Sequence, residues 1–145
     1  MKLDYEWAQA SDAQALVELR IRAMQPSLEA VGRFDPERAR QRFMQNFEPA
    51  QTCKLLWNEQ FVGFYVLLAR EDHLWLDHLY IDPSRQGSGF GAQVMARIKA
   101  QSQAAQLPVR LGALIESRAN KFYIDQGFVE VEQQQWDTLY EWQPR

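Results

Sequence analysis

One cysteine, Cys53, is the whole thiol complement of this 145-residue chain. It has no partner for an internal disulfide, so a reducing compartment, the cytoplasm, is the expected home. Charge of one sign is also scarce: 16 Lys and Arg stand against 19 Asp and Glu, a net charge of −3. That balance is too mild for nucleic acid or an anionic membrane as the main partner. No apolar run approaches the roughly 20 residues that a membrane span needs. Met1-Lys2-Leu3-Asp4 lacks the apolar core of a signal peptide. Repeats, long linkers and low-complexity tracts are missing, and no metal site is expected. Glycine is sparse, seven in all, yet three of the seven fall at alternate positions in one stretch, Gly87, Gly89 and Gly91.

What is present suits one domain spanning residues 1–145. Apolar residues make up 46% of the chain, enough for a sizeable core. Leu3, Tyr5 and Trp7 alternate with polar residues, the pattern of a half-buried strand. Ser11-Asp12 offers caps for a helix with Leu16, Leu19 and Ala23 on one face, and Pro26 is expected to stop or kink it. Asp35-Pro36 starts a second helix whose inner face carries Ala39, Phe43, Met44 and Phe47. Three runs with short connections follow, Cys53–Trp57, Phe61–Ala69 and Leu74–Asp82, and imply an antiparallel meander. A helix from Ala92 to Ala105 leads to a strand, Val109–Ile115, parallel to the one before it. Arg118–Gln126 reads as a helix with Gly127 as a left-handed cap, and Phe128–Glu132 and Asp137–Trp142 close the chain as strands. The order is βααβββαβαββ. An α/β (mixed α+β) fold follows, with a six- to seven-stranded mixed sheet and helices on both faces. The tryptophans at 7, 57, 75, 136 and 142 are expected in the sheet core, Cys53 in a buried strand, and His73 in a solvent-facing turn.

The segment Arg85-Gln86-Gly87-Ser88-Gly89-Phe90-Gly91 lies between a strand and a helix. Alternate glycines leave the backbone bare, so successive N–H groups can point inward. The start of the next helix adds unpaired donors and a partial positive charge. Such a place suits a phosphate or pyrophosphate, with Arg85 placed for a bidentate contact. The loose dinucleotide pattern G-x-G-x-x-A, ending at Ala92, keeps a nicotinamide-dinucleotide oxidoreductase as an alternative, although the loop follows the fourth strand rather than the first. A P-loop is excluded, because no Gly-Lys-Ser/Thr follows the glycines.

The string Ile81-Asp82-Pro83-Ser84-Arg85-Gln86-x-x-Gly89-x-Gly91 resembles the acyl-CoA-binding segment Q/R-x-x-G-x-G/A of the GCN5-related N-acetyltransferases. A second stretch, Arg118-Ala119-Asn120-Lys121-Phe122-Tyr123-Ile124-Asp125-Gln126-Gly127-Phe128, is similar to the family's R-A-x-x-[FL]-Y-x-x-x-G-F. The element order also agrees, so the resemblance covers nearly the whole chain.

That resemblance implies acetyl-CoA as cofactor and an acetyl transfer to a primary amine by direct attack. The acceptor, a small molecule, a peptide N-terminus or a protein lysine, stays open. The pyrophosphate would lie on Arg85, Gln86, Gly87, Ser88, Gly89, Phe90, Gly91 and Ala92, and the pantetheine arm along Leu79, Tyr80 and Ile81. An N–H near Leu79 would face the thioester oxygen. Tyr123 matches the tyrosine that protonates the leaving thiolate, and Asn120, one turn earlier, would face the same channel. The family's usual asparagine position holds Glu116 here, which is left as a possible base or acceptor contact. For the general base, Asp77 and His78 are candidates, and adjacent strand residues face opposite sides, so at most one serves. Glu29, between the first two helices, is the candidate acceptor contact. A non-catalytic acyl-CoA sensor is the alternative of another class. Exposed terminal strands leave room for a homodimer.

Overall fold

In the computed structural model, which describes residues 2–145, the chain runs β1 (Asp4–Trp7), α1 (Ala13–Ala30), α2 (Pro36–Asn46), β2 (Thr52–Trp57), β3 (Gln60–Ala69), β4 (Leu74–Ile81), α3 (Phe90–Ala105), β5 (Val109–Leu114), α4 (Ala119–Asp125), β6 (Val129–Gln133) and β7 (Asp137–Trp142). The order βααβββαβαββ expected from the sequence is therefore the observed one. The seven strands form one mixed sheet in the order β1-β2-β3-β4-β5-β7-β6. Backbone contacts group the chain into two compact units. One holds the chain up to Val66 together with His78–Phe90, and the other holds Leu67–Asp77 with Gly91–Arg145.

In the first unit, Ser11 and Asp12 lie in a single 3-10 turn ahead of α1. The Asp12 carboxylate accepts the Gln9 N–H at 2.7 Å and pairs with Lys54 at 3.1 Å, which ties the helix start to β2. Leu16, Val17 and Leu19 make the buried stripe of α1. Pro26 does not stop this helix, which continues to Ala30. The ring sits on the exposed side near the C-terminal end, so the missing N–H removes one bond of an otherwise intact ladder. The α2 start is as the sequence implies: Asp35 accepts the Arg38 N–H at 3.1 Å, with Pro36 in the first turn. Phe43 is the buried residue of α2, and Met44, expected beside it, turns outward. Strand β2 pairs antiparallel with both β1 and β3, and a bulge at Leu55/Leu56 faces Gly63. A Cβ at Gly63 would stand 2.4 Å from the Tyr80 carbonyl oxygen, so only glycine lets β3 and β4 approach this closely.

The second unit buries Val94, Met95, Ile98 and Ser102 of α3 with Val109, Leu111, Ala113 and Leu114 of β5 and Tyr140 of β7. Strands β5 and β7 pair antiparallel from Val109–Trp142 to Leu114–Asp137. Helix α4 ends as expected, with Gly127 at φ +91° and the Phe128 N–H returning to the Tyr123 carbonyl at 3.0 Å. Strand β4 is parallel to β5, with register Leu74–Val109 and Trp75–Arg110 and no further registered pair among the described residues.

None of the five tryptophans is buried as expected: Trp57, Trp75 and Trp142 are half-buried, and two are exposed. Trp7 is 55% exposed because β1 is an edge strand, and Trp136 is 40% exposed because it lies in the turn between β6 and β7. His73 also differs: its ring is largely covered, Nδ1 meets the Asp72 carboxylate at 2.7 Å, and Trp75 packs edge-on. No helix of the described residues is long and apolar enough to cross a membrane.

Candidate active site

The loop after β4 is fixed at its base by Asp82. Its carboxylate accepts the Ser84 N–H at 3.0 Å and the Ser84 hydroxyl at 2.8 Å, and it receives Arg22 of α1 at 3.0 Å. Burial pushes the Asp82 carboxyl up, but Ser84 and the Arg22 guanidinium outweigh it and hold it below the usual value. The Asp82 N–H donates to Val62 of β3 at 2.8 Å. Backbone groups along a paired strand alternate sides, so Leu79 and Ile81 turn theirs away from β3. The Ile81 carbonyl accordingly accepts Gln86 Nε2 at 3.5 Å.

Gly87 and Gly89 both hold φ +84°, and no heavy atom lies within 4 Å of where either Cβ would stand. The backbone here is bare and open. Gly91 differs: it belongs to α3, and a Cβ there would sit 3.2 Å from the Phe122 ring. Its visible role is the close packing of α3 on α4. Because α3 opens at Phe90, its first N–H groups have no intrahelical acceptor. Arg85 is held in advance: its guanidinium lies 5.1 Å from the Trp57 ring centre and donates to Gln60 Oε1 at 2.5 Å. The Ser88 hydroxyl donates to the Arg85 carbonyl. The bare backbone at Gly87 and Gly89, the unpaired N–H groups at the start of α3 and the Arg85 guanidinium together suit a diphosphate.

His78 and Asp77 lie on opposite faces of β4. Asp77 is exposed and accepts the Trp75 indole N–H at 3.2 Å. His78 Nδ1 stands 2.8 Å from the Tyr80 hydroxyl, and its ring packs edge-on to Phe43 at 5.8 Å. Two tautomers satisfy that bond. With Nδ1–H donating to the Tyr80 oxygen, Nε2 keeps a lone pair that can take a proton. With Tyr80 donating, Nε2 carries the proton.

Tyr123 is buried in α4 against Phe122, Phe128 and Tyr140. Asn120, one turn earlier, uses both ends of its amide within the second unit. Its Nδ2 donates to the Leu114 carbonyl at 2.9 Å and its Oδ1 accepts the Tyr140 hydroxyl at 2.8 Å. Glu116 is exposed at the end of β5 in a left-handed conformation, φ +68°. Glu29 lies in the last turn of α1, on a helix rather than in the connecting segment. Sequence reasoning missed Trp57, Gln60 and Arg22 as supports of the loop, and Tyr80 as the side-chain partner of His78. Only the i, i+2 spacing of His78 and Tyr80 on one strand face signalled any of these.

The site thus lies in a mixed α/β fold whose fourth strand leads into a glycine-bearing loop at a helix start. A family model described as "Acetyltransferase (GNAT) domain" matches residues 22–144. The chain belongs to this family of acetyltransferases, whose acyl donor is acetyl-CoA. Among solved structures, the PaiA N-acetyltransferase from Thermoplasma acidophilum in complex with coenzyme A is 14% identical, with a TM-score of 0.80 over 99% of both chains. An acetyltransferase from Thermus thermophilus is 21% identical, with a TM-score of 0.72 over 99% of this chain and 97% of that one. The ribosomal-protein-S18-alanine N-acetyltransferase from Escherichia coli is 14% identical, with a TM-score of 0.70 over 97% and 91%. These likenesses show the fold. No curated sequence matches the chain closely enough to count.

Proposed function

We propose that this chain transfers an acetyl group from acetyl-CoA to a primary amine by direct attack, acting as one domain. The observation that carries the reading is the loop itself: two open glycines at φ +84° beside a pre-positioned Arg85 at the start of α3. The residues fit the cofactor. Arg85 and the backbone of Gln86 to Ala92 would hold the diphosphate, and the outward backbone groups of Leu79 and Ile81 would pair with the pantetheine arm. Bound acetyl-CoA supplies the activated acyl group.

The chain's own residues do the rest. A lysine-like amine costs roughly 4–5 kcal/mol to neutralise at pH 7. His78, in the tautomer that donates from Nδ1 to Tyr80, offers Nε2 to take that proton, directly or through a water. Asp77 faces the other way and is held by the Trp75 indole. The Leu79 N–H would donate to the thioester carbonyl oxygen and stabilise the charge that develops there. Tyr123 would donate from its hydroxyl to the departing thiolate. Asn120 fixes α4 to β5 and β7, and so holds Tyr123 in place. The acceptor is a small-molecule, peptide or protein amine, and Glu29 and Glu116 are the exposed carboxylates offered to it. Cys53 is buried and takes no covalent part. Family membership leaves the dinucleotide alternative without support.

Thermal unfolding with acetyl-CoA, CoA and NAD, on the wild type and on Gly89→Glu, tests the reading. Acetyl-CoA at 100 times its Kd adds about 2.7 kcal/mol to the wild type. The variant, with a side chain strained at positive φ and a carboxylate beside the diphosphate, gains nothing. No wild-type response to either CoA species sinks the proposal. A non-catalytic sensor would bind yet turn over no amine in a panel where the enzyme does.

A further inference from the structure

Helix α1 carries a guanidinium with no counter-group among the described residues. The Nε and Nη1 atoms of Arg20 are sealed from solvent and have no hydrogen-bond partner there. Arg20 lies four residues after Leu16 and three after Val17, so it continues the buried stripe of the helix. Its neighbours are treated differently. Arg22, two residues on, has the Asp82 carboxylate at 3.0 Å, and Arg40 of α2 has the Glu18 carboxylate. Arg20 as a whole is half-buried, but sealed N–H groups on a charged guanidinium are costly to leave without a partner. Among the described residues, the chain provides carboxylates for both arginines that anchor this helix and none for Arg20.

The ion pairs on either side of Arg20 point to its ligand. The Glu18–Arg40 pair fastens α1 to α2, and Phe43, three residues beyond Arg40, stands 5.8 Å from His78. The Arg22–Asp82 pair fastens α1 to the end of the strand that carries His78 and Tyr80. Arg20 thus lies between the two ion pairs that tie α1 to α2 and to the end of the strand carrying His78 and Tyr80. We infer that Arg20 binds an oxyanion of the acceptor, and that the preferred acceptors are amines that also bear a carboxylate. This deepens the acetyltransferase reading and rests on it. Nη2, the nitrogen of the guanidinium fork that is not sealed, is the one an incoming carboxylate reaches first, and a second N–H that joins it as the side chain turns gives discrimination as well as affinity.

Matched pairs of amino acids and their carboxamides test it, with acetyl-CoA binding followed in the same thermal-shift plates. Wild type is expected to be stabilised by the acid members and not by the amides, and to prefer the acids by about 10- to 100-fold in kcat/KM. Arg20→Met removes the charge at similar length. It is expected to lose the preference, keep the acetyl-CoA response, and melt higher than wild type in buffer free of carboxylates. Arg20→Lys keeps the charge without the fork and retains part of the preference, which guards against a folding defect in the first variant. Equal response of the wild type to acids and amides, no response to any acid, or an unchanged preference in Arg20→Met each overturn the inference. A preference carried by acetyl-CoA affinity instead, with Arg20→Met weakening CoA and acetyl-CoA alike, assigns the oxyanion to the cofactor's phosphates and overturns it too. Absence of any acetyl-CoA response in the wild type marks failure of the functional reading, whatever the acids do.

Discussion

At the scale of single residues, the molecule uses glycine for three different jobs, and the sequence distinguishes them poorly. Gly87 and Gly89 hold left-handed backbone in the open loop, Gly91 lets Phe122 approach, and Gly63 lets β3 meet the Tyr80 carbonyl. Gly63→Ala forces a Cβ onto a backbone oxygen that cannot swing away. A loss of about 1–3 kcal/mol in urea unfolding is expected, and an unchanged midpoint would refute the close approach. The string Gln86-x-x-Gly89-x-Gly91 was legible because its spacing is local. Trp57 and Gln60 under Arg85, and Arg22 on Asp82, lie 25 to 60 residues from their partners, and no periodicity links them. Tyr80 was legible only as a strand residue, because its bond to His78 depends on two side-chain rotamers.

Whole elements were easier to read. Asp35-Pro36 and Gly127 mark helix ends through short-range chemistry, and both act as expected. The alternation of the meander strands likewise sets pairing without tertiary help. Pro26 misled, because local rules forbid proline in a helix interior while tertiary anchors override them. The clamps of Glu18 to Arg40 and Arg22 to Asp82 hold α1 on course ahead of the proline, and its ring points outward. Pro26→Ala restores the lost backbone donor. A gain of up to about 3 kcal/mol is expected by denaturant unfolding, and a loss would show that the proline's shape is itself needed. Tryptophan misled for the opposite reason: Trp7 and Trp136 have core chemistry but stand on an edge strand and in a turn.

For the molecule as a whole, acid is the condition that should unfold it. The carboxyls of Asp12, Asp82 and Glu141 all sit below their usual values. Burial opposes this in Asp12 and Asp82, where Gln9, Lys54, Ser84 and Arg22 outweigh it. In Glu141 the bond from Arg110 leads. A carboxyl held low in the folded state binds fewer protons there than in the unfolded chain. Its contribution is therefore complete above the ordinary values of 3.8 for Asp and 4.5 for Glu, and is lost as pH falls through the lowered ones. The melting temperature is expected to hold steady from neutral pH down to about 4.5 and then fall, with Asp82→Asn flattening part of the fall. A decline beginning near pH 6 would point to histidine instead. The short parallel register of β4 on β5, only Leu74–Val109 and Trp75–Arg110, has a consequence in time rather than in shape. Among the described residues no strand is registered against the outward amides of Leu79 and Ile81, so their hydrogens are expected to trade with deuterium quickly in the free protein. Those on the β3 side exchange only when the sheet opens. A ligand strand laid on that edge slows the first set alone, which makes two amides of β4 a clock for occupancy.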